Sequence, residues 1–130
     1  MKVVRLQSML GLAALALLTT GFAMHLRLVK SAPSANEVVG AIPTEIRLWF
    51  SQKPELSLTT IKLLREDSTA VELNGKVAAT DDSLSVRIPL TAALEKGTYI
   101  VSWRSVSKDG HAVRGSYRFN LAAPPPAHNY

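Results

Sequence analysis

Three histidines, His25, His111 and His128, carry the metal-binding potential of this 130-residue chain, which contains no cysteine. Without thiolates, structural zinc sites of the cysteine type and thiol redox chemistry are excluded. His111 closes the run Lys108-Asp109-Gly110-His111, which reads as a turn between two strands. Such a turn lets Asp109 and His111 present a carboxylate and an imidazole to one ion, and it also serves as a plain, partly exposed turn. His25 would add an imidazole and a free α-amine if processing made it the first residue. An amine and two imidazoles form a T of three nitrogen donors. Nitrogen and oxygen donors in a tetragonal plane suit Cu(II), and no soft sulfur is present among them to favour Cu(I). His128 lies in a proline-rich tail and reads as incidental, with at most weak metal uptake.

Other chemistries find little support. No glycine-rich phosphate loop follows a strand, and no serine sits in a nucleophile elbow. The acidic pairs Glu66/Asp67 and Asp81/Asp82 fall in polar turns, where adjacent carboxylates are ordinarily solvated turn formers. The net charge is +5, but Arg27, Lys30, Arg47, Lys62, Arg65, Arg87, Arg104, Arg114 and Arg118 form no block along the chain. Single basic residues alternating with apolar ones are the pattern of solvent-facing strand positions, so no nucleic-acid partner is expected.

The elements that must position the histidines begin after a targeting segment. Lys2 and Arg5 precede an apolar run from Met9 to Leu18, then mostly small residues through Ala23, and no acidic residue occurs before Glu37. This is the layout of a signal peptide. The rival, an uncleaved anchor, would need the uncharged stretch Leu6–Met24 to span a bilayer, and that stretch is short and interrupted by polar residues. Cleavage after Met24 would expose His25. Gly21-Phe22-Ala23 offers a competing cut that would leave Met24 first. We take residues 1–24 as the leader, 25–121 as the folded domain and 122–130 as an extended proline-rich tail.

Within the domain, alternation with period two recurs. Ile46, Leu48 and Phe50 oppose Glu45, Arg47 and Trp49. Ile61 and Leu63 fall in a similar set, then Leu84, Val86 and Ile88. Tyr99, Val101 and Trp103 oppose Ile100, Ser102 and Arg104, and Val113, Gly115, Tyr117, Phe119 and Leu121 share one face of the last strand. Trp103, sharing a face with Tyr99 and Val101, reads as a core anchor. Trp49, on the polar face, reads as cover for a sheet edge or a partner surface. Turn signals lie at Glu66-Asp67-Ser68, Asn74-Gly75 and Asp81-Asp82, and Pro89–Lys96 reads as a short helical or irregular connection. Short strands separated by such turns predict an all-β sandwich or barrel.

The stretches Leu28–Pro33, Pro43–Ser51, Leu94–Trp103, Val106–His111 and Gly115–Phe119 resemble the CopC family of periplasmic copper-resistance proteins over essentially the whole domain. The ordered series Gly-Thr-Tyr, Trp, Ser, Asp-Gly-His, Gly and Phe is the specific part. The resemblance implies a Greek-key, immunoglobulin-like β-sandwich, barrel-like in closure, behind a cleaved signal peptide. It implies one Cu(II) per chain, with His25 and His111 as equatorial donors and Asp109 as an axial ligand or an acceptor that orients one. It implies a non-enzymatic periplasmic role in copper resistance and homeostasis, as carrier or buffer, with an inner-membrane copper transporter as partner and a monomeric, non-spanning mature chain.

Two departures matter. The methionines are only Met1, Met9 and Met24, so no methionine-rich Cu(I) loop is expected. Gln52 stands where the family often has a glutamate after the Phe-Ser pair, so a metal role for it is not carried over. A metal-free immunoglobulin-like interaction module and a copper-dependent oxidative enzyme are the alternatives.

Overall fold

The computed structural model describes residues 25–122. The expected leader, most of the tail, His128 and Met24 lie outside them. Among the described residues nine strands form: β1 (Leu28–Ala32), β2 (Val38–Val39), β3 (Glu45–Phe50), β4 (Thr60–Arg65), β5 (Ala70–Val71), β6 (Ala78–Ala79), β7 (Ser85–Pro89), β8 (Gly97–Val106) and β9 (Ala112–Leu121). A 3-10 turn at Leu56–Leu58 precedes β4. No helix among the described residues is long and apolar enough to cross a membrane.

The strands divide into one sheet of order β1-β3-β7-β6 and another of order β2-β9-β8-β4-β5. Lettered in chain order as A, A′, B, C, C′, D, E, F and G, they give A-B-E-D facing A′-G-F-C-C′. That is the strand order of the immunoglobulin sandwich. A further hallmark is present in Tyr99, near the start of β8, whose hydroxyl donates to the Glu95 carbonyl at 2.6 Å. This is a tyrosine corner.

Alternation explains which faces meet. Ile46, Leu48 and Phe50 of β3 are buried, as are Tyr99, Val101 and Trp103 of β8 and Tyr117, Phe119 and Leu121 of β9. They join Ile61, Leu63, Val86 and Ile88 in one core between the sheets. Trp103 is the core anchor the alternation predicts, and it meets Phe50 edge-on at 5.3 Å between centroids. Trp49 faces outward between Lys30 of β1 and Arg47, each cation 4.6 Å from its ring. It therefore covers the edge pairing of β1 with β3.

Two expectations need correction. Leu84 is exposed rather than inward, because β7 begins only at Ser85 and the Leu84 carbonyl accepts the Phe50 amide at the strand's mouth. Asn74-Gly75 does not close a hairpin and neither residue has positive φ. The physical reason is that β5 pairs with β4 in one sheet and β6 with β7 in the other, so the connection crosses the sandwich. Pro89–Lys96 takes the irregular of its two expected forms, with Pro89 closing β7. The Glu66-Asp67-Ser68 turn does form, with Ser68 at φ 69° and Asp67 accepting from the Thr69 amide at 3.0 Å.

Candidate metal centre

The long β8–β9 hairpin, paired from Gly97↔Leu121 to Val106↔Ala112, ends in the turn that holds His111. Gly110 adopts φ +85° there, a left-handed conformation that glycine takes without steric cost. The turn is closed by the Gly110 amide donating to the Ser107 carbonyl at 2.9 Å and the Ser107 amide donating to the His111 carbonyl at 3.0 Å.

Asp109 organises this turn. Its Oδ1 accepts from the His111 amide at 3.2 Å and from the Ser107 hydroxyl in a short bond, while Oδ2 lies 2.8 Å from His111 Nδ1. The Ser107 hydroxyl, with the His111 contacts behind it, holds the Asp109 carboxyl down at about 2. An imidazole whose Nδ1–H is held by a carboxylate keeps its lone pair on Nε2 and has a fixed ring orientation. Both side chains are largely exposed.

His25 reaches the same place from the other end of the domain. Leu26, next to it, is 1% exposed and pins the segment in the core. The Arg27 amide donates to Ser51 Oγ at 3.0 Å, and the Ser51 amide donates back to the Arg27 carbonyl at 2.9 Å. His25 is thereby carried beside His111, with ring centroids 5.8 Å apart and planes at 69°.

A ring nitrogen about 2 Å from a metal sets its ring centroid about 3 Å from it, so two rings sharing one ion stand about 4.5–6.5 Å apart. The His25–His111 separation fits that interval. Among the described residues, no group of three or more His, Cys, Asp or Glu is gathered closely enough to hold an ion by itself. Two imidazoles therefore stand within reach of one ion, with Asp109 turned onto the His111 ring. The third nitrogen of the expected set, the α-amine of residue 25, depends on processing at Met24. Gln52 follows Ser51 and is half-buried.

Sequence reasoning overlooked Ser51, Leu26 and Ser107, which hold the two histidines. Ser107 could have been found: a serine two residues before an Asp-Gly turn is the kind of local hydroxyl that bonds turn carboxylates. The bond of Ser51 to Arg27 is nonlocal and left no signal.

Residues 28–122 match the family described as CopC domain. The chain belongs to the CopC family. The CopC-family chain is 33% identical to Protein YobA of Escherichia coli K12 over 113 residues, covering 83% of this chain and 91% of that protein. It is 36% identical over 102 residues to copper resistance protein C of Xanthomonas campestris pv. juglandis, covering 75% and 80%. Among solved structures it is similar to CopC from Methylosinus trichosporium OB3b, with TM-score 0.68, 30% identity, and coverage of 82% of this chain and 100% of that one. It is also similar to PcoC, a methionine-rich copper resistance protein from Escherichia coli, with TM-score 0.65, 34% identity, and coverage of 75% and 99%. Unlike a methionine-rich protein, this CopC domain contains no methionine after Met24.

Proposed function

We propose that this CopC-family chain is an exported, periplasmic copper-resistance protein that carries or buffers one Cu(II) ion as cargo rather than acting as an enzyme. His25 and His111 are its nitrogen donors, and Asp109 orients His111 or supplies a weak axial oxygen. The observation that carries this reading is the meeting of His25 and His111, from opposite ends of the domain, at a spacing one ion can bridge. The leader would be residues 1–24, and a free α-amine on His25 would complete a three-nitrogen plane suited to Cu(II). The open position of both rings fits a carrier that hands its ion to a membrane transporter.

The test is a Cu(II) titration against a competing chelator, using protein exported and processed by its own leader. The expected result is one-to-one binding that weakens by orders of magnitude in His111→Ala. Affinity should also fall as the pH drops through the ordinary imidazole range near about 6.5, because protons compete for the donors. Equal affinity in parent and His111→Ala would remove the site from this turn.

A further inference from the structure

Four cations scattered through the sequence converge on the outer face of the larger sheet. The outward positions are Thr60, Lys62 and Leu64 on β4, Thr98, Ile100, Ser102 and Arg104 on β8, and Ala112, Arg114, Ser116, Arg118 and Asn120 on β9. No carboxylate is among them. Arg104 stands directly opposite Arg114, Lys62 opposite Ser102, and Arg118 opposite Ile100. The cations thus surround Ser102 and Ser116, which are themselves paired. All four are exposed, and none enters an ion pair among the described residues. On the other sheet, by contrast, Arg47 and Arg87 are paired with Asp81 and Glu45.

Like charges directly opposed across a strand pair destabilise a sheet, so the Arg104/Arg114 pair calls for an external counter-anion. Guanidinium forks match phosphate oxygens bidentately. Lys62, Arg104, Arg114 and Arg118 line none of the five described cavities, so the cations stand on open sheet surface. An open cationic sheet face suits a surface of distributed negative charge. We infer that this face docks on a bilayer rich in anionic phospholipid, with the phosphates neutralising Lys62, Arg104, Arg114 and Arg118. The inference does not depend on copper. Because β8 and β9 also end in the His111 turn, docking would hold that turn near the membrane surface.

The test is co-sedimentation of the exported, processed, copper-free protein with vesicles of equal parts phosphatidylglycerol and phosphatidylcholine, and with phosphatidylcholine alone. Binding to the anionic vesicles only, released by raised salt, is expected. Arg104→Gln/Arg114→Gln/Arg118→Gln should weaken it roughly a hundredfold, at roughly fivefold per cation. Lys53→Gln/Lys76→Gln/Lys96→Gln, of equal net charge but altered elsewhere, should bind much more nearly like the parent. Arg114→Gln alone should raise the melting temperature of the free protein. Absence of vesicle binding, equal losses in the two triple variants, tighter binding to duplex DNA than to vesicles, or a lower melting temperature for Arg114→Gln would each overturn the inference.

Discussion

At the scale of single residues, Asp109 shows how one carboxylate can order the turn that carries His111. Its bonds to Ser107 and His111 are made by the ionised form, which is why its carboxyl sits at about 2. A depressed carboxyl contributes stability that is present above the unfolded value near 3.8 and is lost as the pH falls through the folded value. The order of the 107–111 turn should therefore decay between about pH 4 and pH 2, monitored by NMR of the His111 amide. Ser107→Ala removes the largest cause, so the Asp109 carboxyl should rise toward its ordinary range and the decay should start at higher pH. An unchanged Asp109 titration in that variant would mean that the hydroxyl does not hold the carboxylate. Asp109→Asn, which keeps an acceptor oxygen but loses the charge, should weaken Cu(II) binding less than His111→Ala.

At the scale of elements, the β8–β9 hairpin carries the His111 turn, and across the strands Trp103 leaves no room for a side chain at Gly115. A Cβ on Gly115 would lie 2.7 Å from Cζ2 of Trp103, its cross-strand partner. Trp103 is wedged against Phe50 and has little room to retreat. Gly115→Ala should therefore cost about 1–3 kcal/mol by overpacking, read as a lower denaturant midpoint. A midpoint at or above the parent's would show that the indole can shift. The alternation of β8 and β9 made Trp103 and Gly115 legible as same-face neighbours, because side chains project with period two. Their direct opposition was not legible, since it depends on hairpin register set by the turn.

At the scale of the molecule, the sandwich closes over Tyr117, whose hydroxyl is buried with no hydrogen-bond partner. Ser31 lies close enough to favour the phenolate slightly without making a bond of good geometry. Burial dominates, and with nearby Glu37 it pushes the phenol up to about 12. A raised phenol contributes stability that is complete below its unfolded value of 10.0 and is lost as the pH rises toward 12. Tyr117→Phe should abolish this alkaline loss and leave neutral stability equal or higher, because it removes an unsatisfied buried group. A marked loss of neutral stability on that substitution would mean that the hydroxyl is bonded after all. The sequence by itself determined the alternating strands β3, β4, β7, β8 and β9, the inward aromatic residues and the His-bearing turn, because all three follow from local periodicity and turn chemistry. It also carried enough of the CopC pattern to name His25, Asp109 and His111 together. Only the tertiary structure decided that His25 meets His111, that Asn74-Gly75 crosses between sheets, and that Lys62, Arg104, Arg114 and Arg118 share one face. Each of these depends on which strands pair and in what register, a nonlocal choice made by packing two apolar faces into one core.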